Sequence, residues 1–458
     1  MNRLSRVLTT ILTGPGRDTS PSEELRDDAR PMKILTIDID ESPPDLFPRT
    51  DHASAYVVAL SRGVPRATAV LPLTSDPSTF SKEVQDFIGE TSLREPSALD
   101  DPVVADGELP KISVVIPSAI SRLPDLRVCL DSIGELDYPL FEAVLVDNRR
   151  QVPSPDPLDD VVRGRTWLRV VREARPGSSI ARNTGAASID ADIVAFVDDD
   201  VRVDRQWLRA IGTRMTRDPS LEILTGLILP AELESPSQIW FERYFGGMGS
   251  ERTFLPLSIE PAPEVHHIFR GRSVVVRDPQ GQETRRISIY GIGGYGASAN
   301  MAVRRTALDR VGGFDATLGA GTPAYGGEDL ALLVDVLWSG GKIGYEPAAF
   351  VWHRHRQEYN ELLEQAQGYA MGVTAMLTRM VIADPRHLLC IVSKLHVAAR
   401  KKWSDARQLS HGTTTADHRN LPTTTFPPTL FRRELFGLMR GPFAYVRSRA
   451  WWRKESGG

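Results

Sequence analysis

The sequence predicts an α/β protein: a mostly parallel sheet flanked by helices, with a small N-terminal α+β domain before it and a C-terminal helical tail after it. Three observations carry this. Residues 111–229 alternate short β-branched runs with helix-periodic segments, the pattern of parallel strands joined by helical crossovers. Polar or turn residues stand at the carboxyl ends of three of those strands, the edge where open α/β sheets bind ligands. At 458 residues the chain suits two or three domains.

Composition narrows the function classes. The chain is 41% apolar and 25% charged, an ordinary soluble balance, and its net charge of −4 gives no reason to expect nucleic acid as a partner. Cys129 and Cys390 match no metal or redox spacing, which fits a reducing cytosol. No apolar run approaches the roughly 18–20 residues of a spanning helix, so a cytoplasmic protein is expected, with at most a peripheral contact at the inner face of the membrane.

Residues 1–32 read as a flexible lead, headed by a short amphipathic stripe of Leu4, Val7, Leu8, Ile11 and Leu12. Residues 33–110 read as an accessory α+β domain and linker. Strands are expected at 33–39, 55–61 and 66–73, with a turn at "RGVPR" and a helix presenting Phe80, Val84, Phe87 and Ile88 on one face. The segment 94–110 reads as linker. This region carries no chemical motif. Residues 111–385 hold the alternating pattern, with strands at 112–117, 141–147, 167–173, 192–198 and 221–229 and helices at 122–134, 178–190 and 204–217. Residues 386–458 form a basic helical tail: from Pro385 onward there are 14 Lys+Arg against 4 Asp+Glu, with Trp403, Phe431, Phe436, Phe443, Tyr445, Trp451 and Trp452 among them. Two readings of that tail stand, a helix packed on the body and a contact with an anionic membrane surface.

Within "AFVDDDV", Asp198, Asp199 and Asp200 follow an apolar strand directly. Like charges this close raise one another's pKa. From the triplet alone two readings stand: a solvated strand end with capping aspartates, or a site for a hard cation such as Mg²⁺ or Mn²⁺ shared with substrate phosphates.

The ordered fragments "ISVVIPS", "VLVDN", "GSSIARNTGA", "AFVDDDV", "GGFD" and "GGED" resemble the signature series of the family 2 glycosyltransferases, inverting enzymes of the GT-A fold. The resemblance covers about residues 111–385. It implies a nucleotide-sugar donor, a hydroxyl-bearing acceptor and a divalent metal, Mn²⁺ or Mg²⁺. It further implies that Pro117, Asp147, Arg182, Asn183, Asp198 and Asp199 line the nucleotide-sugar, and that Asp200 ligates the metal. Asp329 of "GGED" matches the catalytic base, with Glu328 beside it. A histidine near the end of the domain can complete the metal sphere; His353 of "WHRHR" stands at a strand end, with His355 as the fallback. Displacement at an anomeric carbon needs a base for the acceptor hydroxyl and charge compensation on the departing diphosphate, and this set supplies both.

"GIGGYG" (291–296) fits Gly-X-Gly-X-X-Gly, but no helical stripe follows it before Arg304, so a dinucleotide fingerprint is not expected. A glycine loop over the substrates is expected instead, with Asn300 and Arg304 near the sugar or acceptor. "QAQGY" stands where processive synthases of the family carry Gln-X-X-Arg-Trp, so transfer of one or a few sugars is expected. The stretch 230–290 is longer than the fold's core requires and reads as an acceptor-contacting insertion. Two alternatives remain: a catalytically silent sugar-nucleotide-binding or scaffold protein, which has no need of a base, and a nucleotidyltransferase, which needs an early glycine-rich phosphate loop where "IPSAISRLPD" has no glycine.

Overall fold

The structure, a computed structural model, describes residues 29–41, 52–73, 77–92, 104–249, 252–263, 272–393 and 426–457. The N-terminal stripe, residues 94–103 of the expected linker and Trp403 lie outside the described residues.

Strands β1 (Met32–Asp38), β2 (Ser54–Ser61) and β3 (Val64–Pro72) form a three-stranded sheet with β1 parallel to β2 and β3 antiparallel to it. The two-residue turn Arg62–Gly63 has φ of 50° and 77°, the left-handed pair that matches the twist of a tight hairpin. Strand alternation divides this sheet between two cores. Ile37, Ala55 and Val57 pack on Phe80 and Val84 of helix α1 (Pro77–Ser92). Met32, Tyr56 and Val58 join the core of the main body instead.

The main sheet has 11 strands. Strands β4 (Ile112–Ser118), β5 (Phe141–Asp147), β6 (Leu168–Arg172) and β7 (Ile193–Val197) run parallel in the order β7-β4-β5-β6. Beyond β7 the sheet becomes mixed. Strand β13 (Asn300–Arg304) lies antiparallel between β7 and β9 (Leu221–Pro230), and β14 (Lys342–His353) runs parallel to β9. The short β8 (Val201–Val203), directly after the aspartate triplet, pairs with the last residues of β14. Strands β10 (Leu257–Pro261), β11 (Ser273–Arg277) and β12 (Glu283–Ser288) extend the edge antiparallel. Parallel pairing thus holds for β4–β7 and for β9 with β14, within a sheet that is mixed as a whole. Part of the 230–290 stretch is sheet rather than loop: Val274, Val276 and Ile259 supply core side chains.

The near-continuous apolar runs of β4, β5 and β7 are explained by burial on both faces. Val115, Val144, Val194 and Phe196 face one core with α4 (Ser178–Ala187), α7 (Arg305–Val311), α8 (Glu328–Trp338) and α9 (Tyr359–Ala383). Ile112, Val114, Ile116, Leu145 and Ala195 face the other with α2 (Leu123–Gly134) and α5 (Trp207–Arg217). Burying such side chains contributes on the order of 1.5–3 kcal/mol each, which fixes strand register against a one-residue slip. Helix α8 is buried almost all round, not on a single stripe: Ala331, Leu332 and Val336 are as buried as Leu333, Val334 and Leu337, while Leu330 is only half-buried.

In the tail, α10 (Pro428–Glu455) lies along α9 at close range. A Cβ at Gly441 would stand 2.6 Å from the Met371 carbonyl, and one at Gly437 2.3 Å from that of Gln367. Ser448 Oγ donates to Thr317 O at 2.6 Å, so the described part of the tail is packed on the body.

Candidate active site

The site is built where β4, β7 and β14 end and α8 begins. At these ends the strands deliver polar side chains that stay buried, Ser118 after β4's apolar run, Asp200 just beyond β7 and His353 at the end of β14. The triplet after β7 is held by three different partners. Asp198 Oδ1 accepts from Arg182 Nη2 at 2.7 Å. Asp199 accepts from Ser118 Oγ at the end of β4. Asp200 Oδ2 accepts from Arg122 Nη2 at 2.5 Å, and its Oδ1 lies 3.3 Å from His353 Nε2 at the end of β14.

These contacts separate the three carboxylates electrostatically. Burial, then the Asp200 charge, pushes Asp199 up to about 7 against the pull of Ser118. Burial pushes Asp200 the same way, but His353 and Arg122 outweigh it and hold that carboxyl below its usual range. Burial also lowers His353 despite the pull of Asp200, favouring the neutral ring that ligates metals. Repulsion in the triplet is thus relieved by the raised pKa of Asp199, which favours its neutral form, and by arginine partners on its neighbours.

Asp198, Asp200 and His353 each offer one ligand atom, all within 4.8 Å of one another. Two carboxylate oxygens and a neutral imidazole nitrogen suit Mn²⁺ or Mg²⁺, with coordination left over for phosphate or water oxygens. Neighbouring ligands of an octahedral ion bound at about 2.1 Å sit about 3 Å apart, close to the 3.3 Å between His353 Nε2 and Asp200 Oδ1. The donor set therefore fits such an ion.

Arg182 joins this group to α8. One nitrogen of its guanidinium binds Asp198 and the other donates to Glu328 Oε1 at 2.9 Å, and the side chain is almost fully buried. Glu328 also accepts from Ser178 Oγ at 2.9 Å. Asp329, the next residue, is held by backbone groups: Oδ1 takes the Leu330 N–H at 2.7 Å and Oδ2 the Ser298 N–H at 3.5 Å. A helix start by itself favours the charged carboxylate and lowers its pKa. Instead burial, then the Glu328 charge, outweighs the backbone N–H groups and Arg182 and raises Asp329 to about 6. Gly327 makes the approach possible. It sits at φ 86°, and a Cβ there would stand 2.4 Å from the Gly372 carbonyl of α9.

Other expected site residues are placed differently. Pro117 is the penultimate residue of β4 and lies beyond its last pair with β7, where a missing N–H removes no bond of that ladder. Asp147 ends β5 with both oxygens held by arginines, Oδ1 by Arg149 Nε at 2.8 Å and Oδ2 by Arg172 Nη1 at 2.9 Å. Asn183 does not face the cleft with Arg182. Its amide clips both backbone groups of Phe314, at 2.9 and 2.7 Å. Asn300 and Arg304 are on strand β13 rather than a loop. Asn300 is buried, accepting from Trp207 Nε1 and donating to the carbonyls of Leu227 and Ala349. Arg304 pairs with Ile193 at the opposite edge of the sheet and donates to the carbonyls of Leu221 and Met215, so it is removed from this site. "GIGGYG" forms 3₁₀ turns over Ile289–Tyr295 and leads into a strand.

Arg122 was not singled out from sequence. It precedes α2 without a motif, and only the fold brings it to Asp200. Nor was Ser118, although it lies one residue beyond the predicted strand.

Residues 113–312 match the family model described as "Glycosyl transferase family 2". The pre-mycofactocin glycosyltransferase of Mycobacterium tuberculosis strain H37Rv is 27% identical over 270 residues, 58% of this chain and 48% of that protein. A probable polypeptide N-acetylgalactosaminyltransferase 8 of Homo sapiens is 26% identical over 272 residues, 58% of this chain and 36% of that protein. The chain thus spans half or less of the length of these relatives. Among solved structures, a mannosyltransferase from Pyrobaculum calidifontis is 15% identical, with a TM-score of 0.44 over 81% of this chain and 95% of that one. The family match contains the triplet and Arg182 and ends before Asp329 and His353, whose placement rests on the geometry above. The likeness to glycosyl transferase family 2 is thus carried by residues 113–312.

Proposed function

We propose that the protein transfers a sugar from a nucleotide-sugar to a hydroxyl acceptor, with inversion, and without processive polymerisation. The observation that carries this is Arg182, whose single guanidinium ties the Asp198–Asp200–His353 group to the carboxylate beside Asp329. A charge-compensating site and a base thereby share one cleft.

Asp198, Asp200 and His353 would hold Mn²⁺ or Mg²⁺, which when bound supplies positive charge to the donor's diphosphate. Asp329 accepts the acceptor's hydroxyl proton. The acceptor oxygen forms its bond to the anomeric carbon as the bond from that carbon to the diphosphate oxygen breaks. The nucleoside diphosphate leaves with that electron pair. Arg182 and Ser178 hold Glu328 aside, so that Asp329 is the carboxylate free to take the proton.

Calorimetry with UDP-, GDP- and dTDP-sugars, with Mn²⁺ and with chelator, tests the donor site. One of these donors should bind, and more tightly with Mn²⁺. Equal affinity with Mn²⁺ and chelator would remove the metal from the reading. Donor binding without transfer to any hydroxyl acceptor would leave a sugar-nucleotide-binding protein.

The outer face of α10 supports a second element of the reading, peripheral contact with an anionic membrane. Phe443 is 75% exposed, Val446 60% and Met439 37%, and exposed Arg440, Arg447, Arg449 and Arg453 flank this ridge. Between Leu435 and Lys454 the helix carries no acidic residue. An apolar ridge with arginine flanks complements an anionic bilayer surface.

A further inference from the structure

Arg122 ties up half of Asp200. Its Nη2 donates to Asp200 Oδ2 at 2.5 Å, while Oδ1 of the same carboxylate lies 3.3 Å from His353 Nε2, within the Asp198–Asp200–His353 group. An arginine keeps its charge throughout the range in which proteins fold, so this contact does not come and go with titration of Arg122. The Asp200 main chain is held as well, its carbonyl accepting from Arg354 N at 3.1 Å. One carboxylate oxygen is committed to the protein and one is offered to a cation.

Arg122 is anchored from behind. Its carbonyl accepts the Leu126 N–H at 3.1 Å, which fixes its backbone at the start of α2. Its Nη1 lies 3.4 Å from Asp125 Oδ2. Asp125 Oδ1 accepts from Arg354 Nη1 at 2.5 Å, and Arg354 Nε donates to Glu232 Oε1 at 3.0 Å. Charge alternates along this row, from Asp200 through Arg122, Asp125 and Arg354 to Glu232, so each member favours the placement of the next. Held in this way, Arg122 is a fixed part of the site.

The number of oxygens a carboxylate can offer bears on which cation it selects. Mg²⁺ and Mn²⁺ favour a regular octahedron, which the narrow bite of a chelating carboxylate distorts. Ca²⁺ takes roughly 6–8 oxygens in a flexible sphere and accepts a carboxylate through both.

We propose that Arg122 is a specificity-determining residue: by holding Asp200 Oδ2 it limits Asp200 to one oxygen toward the cation, and so favours Mn²⁺ or Mg²⁺ over Ca²⁺. The proposal rests on the metal reading above. For Asp200 to chelate Ca²⁺ with both oxygens it must first give up its bond from Arg122. A hydrogen bond between charged groups corresponds to roughly 10–100-fold in an equilibrium. The Arg122 side chain is 30% exposed, so the lower end of that range applies.

The test uses the full chain at one fixed pH, with and without UDP or GDP. Mn²⁺ binding is followed by electron paramagnetic resonance, and Ca²⁺ binding by its displacement of Mn²⁺. Arg122→Met removes both the bond to Oδ2 and a positive charge. The lost charge favours both dications alike, so the ratio of the two affinities isolates the bond. That ratio, Mn²⁺ over Ca²⁺, should fall about tenfold. Arg122→Lys keeps the charge and a donor for Oδ2, and its ratio should stay within a few-fold of the parent's. A purely structural role would lower the melting temperature and move both affinities together. An Arg122→Met variant with the parent's ratio would therefore overturn the proposal and leave the metal reading standing. A parent that binds no Mn²⁺, even with nucleotide, would overturn both. Should Arg122→Met not fold, a crystal of the parent soaked in Mn²⁺ decides the matter. Asp200 should bind the ion through one oxygen with Arg122 still on the other; an Asp200 that chelates the ion with both oxygens would overturn the proposal.

Discussion

Asp329 is where the residue scale matters most, because burial and the Glu328 charge raise it to about 6. A carboxyl raised above its unfolded value of about 3.9 contributes stability below that value and loses it as pH rises through about 6. The carboxylate needed for transfer is thus present at neutral pH at some cost to stability. Asp329→Asn should melt no lower than the parent at pH 7.5, and the difference should shrink as pH falls toward 4 in thermal unfolding followed by circular dichroism. Transfer should fall roughly 10²–10⁴-fold with donor affinity unchanged by calorimetry. In the parent, kcat/KM should rise with pH and level off above about 6; a flat profile from pH 5 to 8 would remove Asp329 as the base. Asp200→Asn addresses the other carboxylate. It keeps an oxygen for Arg122 or His353 but not the charge, so Mn²⁺-dependent donor affinity should drop at least tenfold while metal-free affinity stays. Of these residues, the sequence singled out Asp200 and His353 by their position at strand ends, and Asp329 through the resemblance carried by "GGED". It could not show that Asn183 and Asn300 are consumed by backbone groups, because those partners are 131 and 49–73 residues away.

At the scale of elements, the approach to Asp329 depends on two helices that follow it in sequence. Gly327 fits only because Gly372 of α9 offers bare backbone there, and α9 is itself held by α10 through Gly437 and Gly441. A Cβ at Gly441 would stand 1.8 Å from Thr374 Oγ1 and 2.6 Å from the Met371 carbonyl. Gly441→Ala should therefore destabilise by about 1–3 kcal/mol, the usual cost of overpacking, and lower kcat by loosening α9 beneath the Gly327 turn. Gly89→Ala in α1 is the control. Nothing lies within 4 Å of its Cβ position, so better helix propensity should stabilise by up to about 1 kcal/mol. Urea unfolding of both variants separates the cases; equal shifts would mean that the α9–α10 contact is not close in solution. That the tail is helical was readable, but not which helix it meets. Glycines in a helix-periodic segment look like weakness until the partner backbone is seen.

The whole molecule places the described C-terminal helix of the basic tail against the body, which changes how a membrane contact must be tested. Removing residues after Pro385 would strip the cover from α9 and confound binding with unfolding. Substitutions on the outward ridge avoid this, since Phe443 and Val446 are 75% and 60% exposed. The parent should float with phosphatidylserine-containing vesicles and not with neutral ones, losing binding as salt rises, since each basic residue near the surface contributes about 1 kcal/mol. Phe443→Asp with Val446→Asp should reduce flotation several-fold at unchanged melting temperature. Flotation equal to the parent's would assign the ridge no role at the bilayer. Among the described residues no helix is long and apolar enough to cross a membrane.

By itself the sequence determined the local elements and their order. Apolar periodicity is a property of neighbouring residues, so β4, β5, α2 and α8 were readable to within a residue or two. It also determined which residues end strands, and through them the carboxylate edge. Only the tertiary structure decided pairing direction and contact. Strand β13 enters the sheet antiparallel between β7 and β9, and nothing in "NMAVR" encodes the orientation of its neighbours. Arg122 reaches Asp200, and Arg182 reaches both Asp198 and Glu328. Glu242 meets His355 across 113 residues of chain. Whether a charged side chain is a solvated surface group or a wired part of a site depends on burial and on partners brought from a distance. Both are set when the chain closes on itself, because the cost of burying a charge is recovered only where an opposite charge or hydrogen-bond donor already waits.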